Sequence, residues 1–530
     1  MPGLQGFKRD LGYWQLTAIG LGGVIGSGWL LGALYAANAA GPASIITWVL
    51  GGLALLVIAL VMVELGGSRP MSGGLVRWPF LSSGRLVATL VGWGIWISYA
   101  TNPPSEAAAM LQYSSAHIKN VYSNGQLTAL GIVIAAVLMI LLVAANWFGV
   151  LLFARVNLAV TIAKFVVPAV TIILLAAAGF TASNFTAHGG FAPYGYSAPL
   201  SAIATAGIIY AYTGFQGPLD VSGEARDARR DIPRAVITAL LLSILLYVAL
   251  ELVFLGTVKV GGGGWAGINL SSPYAQIAVA LNLSWFSWVL YADSIVSPGG
   301  SALVFTASTS REVYSLSRNR FLPEWFAHVD GRSGVPRRAL LANFAVGLVF
   351  LLTLHSWHQI IAATSILGLF AYSISAISVT GFNLAEPERS AGWVRGSRIL
   401  APIGFVLATL IFYWSGWTEM KIAVPALLAA ILVYLGDGFR HGFDLDDVKR
   451  GTWLLVYLGA LLLVSYFGAQ AFGGNNDLPG PWDSVVVAAV GAVAYVAGVL
   501  GSVSHLRAHP SAEFEPELDT EELTPEGQAG

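Results

Sequence analysis

The chain has 530 residues, of which 56% are hydrophobic and only 10% charged, with a formal net charge of −1. Soluble proteins carry about 25% charged residues, so this composition excludes an ordinary soluble enzyme, a nucleic-acid binder and a disordered scaffold; it points instead to a polytopic membrane protein. There is no cysteine, which excludes disulfides, thiolate metal sites and a thiol nucleophile.

Residues 1–12 read as a short cytosolic N-terminal segment, since Met1–Asp10 is polar and the apolar run after it is too long for a cleavable signal. Fourteen apolar runs follow, long enough or nearly so to cross a hydrocarbon core of about 30 Å. They lie near 13–38, 43–65, 86–111, 127–145, 153–179, 199–223, 235–257, 284–309, 339–355, 359–383, 399–415, 421–437, 452–472 and 483–505. Around 399–437, Trp414-Ser415-Gly416-Trp417 leaves little room for a turn. Residues 508–530 form an acidic tail read as disordered and cytosolic. With the N-terminus inside, all 27 Lys and Arg fall on the inner side except Lys119, Lys259 and Lys421 outside and Lys164 within a span. Such a bias sets orientation, and Arg226, Arg229 and Arg230 read as residues that enforce it.

The first span contains Gly20, Gly22, Gly23, Gly26, Gly28 and Gly32. An interior glycine costs up to ~1 kcal/mol against alanine in a helix, so a cluster predicts unwound backbone in mid-membrane. Such backbone is tolerated only where it is buried in protein or lines a cavity; the competing reading is tight helix packing through small residues. In the sixth span, Thr213-Gly214-Phe215-Gln216-Gly217-Pro218 is a second interruption, and Pro218 opposes the preceding turn. The two fall five spans apart, so the halves have inverted topology, a pattern that points to a transporter binding site.

These segments resemble signatures of the APC (amino acid–polyamine–organocation) superfamily. Gly22–Gly28 resembles its glycine-rich first helix, and Tyr212–Gln216 its aromatic-Thr-Gly-Phe-Glu run, with Gln216 in place of the Glu. Glu224–Pro233 resembles the loop that follows, with Ala228 in place of its first Pro, and Ser310–Pro323 the loop after helix eight. The resemblance covers residues 10–440 and implies an all-α polytopic membrane protein of the leucine-transporter type. Its two inverted five-helix repeats would occupy 13–179 and 199–383, with helices 1 and 6 broken. Four additional transmembrane helices over 399–505 bring the total to about fourteen. It implies a proton-coupled permease that takes an amino acid and H⁺ through alternating access, with no cofactor. The setting is the lipid bilayer of the cell membrane; nothing in the sequence gives the oligomeric state.

Half-helix N-termini present unpaired N–H groups and a positive dipole end. After the break at Gly26, the N–H groups of Ser27, Gly28 and Trp29, helped by the Ser27 hydroxyl, suit a substrate carboxylate. Carbonyls near Ile25 and Tyr212 suit an α-ammonium. Tyr212 and Phe215 are expected to cap this pocket, and Thr213, Gly214 and Gln216 to line its other side. Lys164 lies about 11 residues, roughly 16 Å, inside the fifth span, beyond the reach of a stem of about 6 Å. An intramembrane lysine reads as functional. The resemblance places it, in an Asn157-to-Lys164 context, at an ion position of sodium-coupled relatives. Asp220 and Asp293, with Ser294 and Ser297 near the latter, are candidates to pair with Lys164, relay a proton or select a cationic substrate. Glu64, Glu106 and Glu251 read as interfacial, near span ends.

The alternatives are an exchanger or a polyamine or organic-cation permease of the same fold, with Asp220 and Asp293 binding the amine. A channel lacks support, because there is no charge ring or pore loop. An intramembrane enzyme lacks an HExxH, a paired-Asp or a Ser/His arrangement within the spans.

Overall fold

A computed structural model describes residues 11–69, 71, 73–147, 151–222, 225–318, 321–330, 335–389, 392–394 and 396–511. The segment 1–10, Glu224 of the loop motif and the tail from 512 onward lie outside the described residues.

The protein is all-α. The first two runs give α1 (Tyr13–Val24), α2 (Gly28–Ala40) and α3 (Ser44–Ser68); α4 (Gly74–Ser83) is a short connector. Next come α5 (Arg85–Ala100), α6 (Asn102–Ser114), a two-residue hairpin of β1 (Tyr122–Ser123) and β2 (Gln126–Leu127), α7 (Ala129–Trp147) and α8 (Leu151–Gly179). The sixth run is split into α9 (Ser197–Thr205), α10 (Ile208–Tyr212) and α11 (Gly217–Asp220), and is followed by α12 (Ala228–Thr257) and α13 (Pro273–Ala280). The rest comprises α14 (Ser284–Arg318), α15 (Arg337–Thr353), α16 (Trp357–Ala385), α17 (Ser397–Trp414), α18 (Trp417–Leu428), α19 (Ala430–His441), α20 (Leu445–Phe467) and α21 (Trp482–Ala508).

Among the described residues, nine helical stretches are long and apolar enough to cross a membrane. The other runs are shortened by interruptions at 25–27, 101 and 206–216, carry polar residues, as α14 does, or are short, as the 17-residue α15 is. The helix α16 is enclosed by α3, α5, α17 and α21, and its hydroxyl-bearing residues Thr364, Ser365, Ser373 and Ser378 satisfy themselves by donating to its own carbonyls. By contrast, α7 and α8 turn Val133, Leu141 and Ile173 outward, each more than half exposed. An apolar periphery around a buried helix is what a lipid solvent permits; the chain is a multi-pass membrane protein.

Three local expectations need correction. The third run is not one helix: Thr101 ends α5, and Asn102-Pro103-Pro104 opens α6. Proline lacks the N–H that a continuing helix needs but is accommodated in a first turn. Pro218 likewise sits in the first turn of α11 and starts a helix instead of breaking one. The segment Ser310–Ser317, read as loop, is helical, because α14 runs on to Arg318. The tight 414–417 connection is made by Ser415 in helical geometry and Gly416 at φ 90°, a conformation that glycine adopts without penalty.

Candidate functional site

The first break is short. Ile25 is extended (φ −82°, ψ 91°), its N–H still bonded to the Leu21 carbonyl at 3.0 Å, and α2 starts at Gly28. The N-terminus of α2 is capped by a carboxylate from another helix: the Ser27 N–H donates to Glu106 Oε2 at 2.9 Å. Tyr210 of α10 donates to Glu106 Oε1 at 3.0 Å. Trp357 Nε1 donates to Ser27 Oγ at 2.7 Å. Ser27, Glu106 and Trp357 are all buried. The N–H groups of Gly28 and Trp29 find no acceptor among the described residues. Two buried donors thus lie beside a positive helix end that the Glu106 carboxylate already faces.

The second break crosses the first. Thr213 leaves α10 with extended backbone (ψ 139°), and Gly214 follows at φ +119°. A Cβ on Gly214 would overlap the Gly23 carbonyl carbon, and one on Gly23 would lie 3.0 Å from Gly214 O. The two unwound segments therefore meet backbone to backbone, and no side chain fits between them. Gln216 closes the turn: its Oε1 accepts from the Gly214 N–H at 2.9 Å while its Nε2 donates to the Tyr99 hydroxyl at 2.8 Å. A glutamate could make the first bond but not donate the second unless protonated.

A polar cluster surrounds the first break. Lys164 of α8 is 2% exposed, and its Nζ donates to the Gly22 carbonyl at 2.9 Å. Its charged neighbours are Glu106 and Asp293. Asp293 of α14 lies beside Ser297 and Trp29. Asp293 Oδ2, Ser297 Oγ, Ser301 Oγ and Trp29 Nε1 are buried without hydrogen-bond partners. Ser301 lies against Gly26, as does Glu106. Buried polar atoms are nearly always paired, and here four without a partner lie close together beside the first helix break.

The structure separates the expected site residues. Ile25, Gly26 and Ser27 sit at the break, beside Lys164, Asp293 and Ser297. Tyr212 turns away: its ring packs on Trp48 and Tyr247, and its hydroxyl donates to the Trp48 carbonyl at 3.2 Å. Tyr210, two residues earlier and about 200° around the helix, faces the break in its place. Phe215 packs against Tyr372. Gly28 is a contact glycine, since an added Cβ would lie 2.7 Å from Ala211 Cβ. Asp220 is partly exposed at the end of α11, its charged neighbour being Glu312 and not Lys164.

Glu106 is the residue that sequence reasoning misplaced. It is 1% exposed and lies in the second turn of α6, not at an interface. The signal that marks it is Asn102-Pro103-Pro104, which breaks the third run just before it. Glu64 and Glu251 are also buried, Glu64 four residues from the end of α3. Glu64 accepts the Val394 N–H at 2.7 Å, and Glu251 accepts from Ser44 Oγ and from Trp48 Nε1.

An all-helical membrane protein with two interrupted helices crossing at a buried polar cluster has the form of a permease. The profile of the amino acid permease family matches residues 11–436, and the chain belongs to that family, within the APC superfamily. It is 37% identical to the glutamate/serine transporter AimA of Bacillus subtilis (strain 168), over 92% of this chain and 93% of that one. It is 32% identical to the aspartate-proton symporter of the same organism, over 91% and 94%. It is 28% identical to the human cationic amino acid transporter 4, over 94% and 78%. The chain is an amino acid transporter and not an enzyme.

Proposed function

We propose that the chain imports amino acids by proton symport through alternating access. In this reading it has two inverted five-helix repeats at 13–179 and 199–383 and four further transmembrane helices over 399–505, about fourteen in all. It lies in the cell membrane with both termini in the cytosol, as the distribution of Lys and Arg supports. The substrate carboxylate takes the Gly28 and Trp29 N–H groups, and its ammonium takes the carbonyls of Ile25 and Gly26 and the free oxygen of Asp293. Thr213, Gly214 and Gln216 form the opposite wall. The relatives named for glutamate, serine and aspartate favour a small polar or acidic amino acid.

The observation that carries the proton step is the bond from Lys164 Nζ to the Gly22 carbonyl. It ties α8 to the last turn of α1. A charge-assisted hydrogen bond is worth about 1.5–3 kcal/mol and a neutral one about 0.5–1.5, so loss of one Lys164 proton, which leaves an amine that can still donate, loosens the hold on α1 by about 1 kcal/mol. Asp293 and Glu106 are the neighbouring acceptors that such a proton can reach. The test is uptake into proteoliposomes of labelled glutamate, aspartate, serine and lysine under imposed proton or sodium gradients. Stimulation by an inward proton gradient without sodium supports the reading; strict sodium dependence, or uptake only against a preloaded amino acid, overturns it.

A second reading rests on Asp293. A buried carboxylate oxygen without a partner beside the Trp29 ring suits an ammonium, which favours a cationic amino acid or polyamine. Competition distinguishes the two: decarboxylated amines that compete as well as their parent amino acids would transfer the assignment to that class.

A further inference from the structure

A cleft of about 500 Å³ opens between the start of α1 and the first turns of α12, lined by Tyr13, Arg230, Asp231, Arg234, Ile237, Thr238 and Trp393. Arg230 and Arg234 are exposed. Their side chains form no ion pair or hydrogen bond among the described residues, not even with Asp231 in the same cleft. Two guanidinium groups one helical turn apart, with a tyrosine hydroxyl opposite, match the oxygen atoms of a phosphate ester.

What lies next to the arginines selects the source of that phosphate. Arg230, Arg234, Ile237, Leu241 and Leu245 follow helical spacing and share one face of α12. Leu241 is 49% exposed and Leu245 69% exposed. That face passes from two cations to bare leucines within about 10 Å, the rise of seven residues. Aromatic residues flank the basic end: Trp14, 74% exposed, adjoins the Tyr13 ring, and Trp393 is 40% exposed. Exposed aromatics beside basic residues mark the headgroup level of a bilayer. A free phosphate would use the arginines alone; a phospholipid uses the leucines as well.

We propose that this cleft binds the headgroup phosphate of an anionic phospholipid, in the leaflet on the basic side of the protein, with an acyl chain along Leu241 and Leu245. Arg230 then has a role beyond setting orientation. The site stands apart from the substrate cluster but touches the same half-helix. Tyr13 and Thr238 share a hydrogen bond of 2.9 Å across the cleft, and the Arg226 N–H holds the Leu11 carbonyl at 2.9 Å. A lipid seated there binds the packed arrangement of α1 on α12 better than a separated one. It thereby shifts the population toward the packed form.

The experiment is thermal stability and native mass spectrometry of the full-length purified protein, titrated with phosphatidylglycerol, with phosphatidylcholine of the same chains, or with inorganic phosphate. A guanidinium that touches the headgroup phosphate is taken to contribute about 1 kcal/mol, the scale of a basic residue at a membrane surface. Arg230→Gln with Arg234→Gln should therefore weaken phosphatidylglycerol binding about 30-fold, about 2 kcal/mol at 1.4 kcal/mol per decade. Arg226→Gln with Arg229→Gln removes the same charge outside the cleft and should leave binding within about threefold. Arg230→Lys with Arg234→Lys retains charge and should recover most of it, showing that the fold is intact. Equal binding of phosphatidylcholine, equal loss in both glutamine pairs, or full protection by inorganic phosphate alone would each overturn the proposal.

Discussion

Replacing Gly214 by alanine is the sharpest structural perturbation of the crossing between the two broken helices. The new methyl group meets two penalties. Gly214 sits at φ +119°, and an L-residue in the left-handed region costs roughly 1–2 kcal/mol. Its Cβ would also overlap the backbone of Gly23 and Val24, which cannot move aside as the end of a side chain can. Overpacking of this kind costs about 1–3 kcal/mol. Together, Gly214→Ala should destabilise by about 2–5 kcal/mol. Gly23→Ala makes the same contact from the other side, with its Cβ 3.0 Å from Gly214 O and no left-handed strain, so about 1–3 kcal/mol is expected. The assay is the thermal midpoint of the purified protein in detergent, followed by tryptophan fluorescence, for both variants and their double. The single effects should differ in that order, and the double should be non-additive because both methyl groups crowd the same backbone crossing, which the first one already forces apart. Equal small effects that simply add would show that the two unwound segments do not touch.

Asp293→Asn should lower proton-driven uptake by tenfold or more, on the scale of a lost charged hydrogen bond of about 1.5–3 kcal/mol, whereas Asp220→Asn should lower it far less, because Asp220 is not a neighbour of Lys164; initial rates in proteoliposomes decide. Glu251→Ala leaves Ser44 and Trp48 without their acceptor and should cost about 2–6 kcal/mol, at 1–3 for each buried orphan group, read as a lowered thermal midpoint. At the end of α16, burial would raise the Glu386 carboxyl, but two hydrogen bonds from Ser511 and the Arg69 guanidinium outweigh it and hold the group below the usual carboxylate range. Its contribution is therefore complete at neutral pH and lost only as the pH falls through that lowered value. Glu386→Gln should be less stable than the native protein at about pH 7, and the gap should close as the pH falls below the usual carboxylate range, as measured by thermal midpoints across the range.

The sequence made the breaks in the first and sixth runs legible because their cause is local: glycines are needed where two backbones touch, as Gly23 and Gly214 do. The membrane class was legible for a similar reason, since composition alone demands lipid around the helices. What could not be read was which face each side chain takes. Tyr210 and Tyr212 are two residues apart and point to opposite sides of α10, so composition favoured neither. Depth was misjudged for Glu106 because counting residues from a span end assumes an unbroken helix, and α5 gives way to α6 at Thr101. Asp220 and Asp293 looked equivalent in sequence; only the packing of α14 beside α8 brings Asp293 to Lys164.

The central claim is that amino acid and proton enter together and that Lys164 couples them. The most direct test is simultaneous flux: sodium-free proteoliposomes carrying a trapped pH dye, given external amino acid at equal pH on both sides. The native protein should acidify the lumen as labelled amino acid enters. Lys164→Ala should still exchange labelled for unlabelled amino acid, showing that it is folded and binds, but without acidification. Amino acid uptake without proton entry in the native protein, or undiminished acidification in Lys164→Ala, would contradict the account.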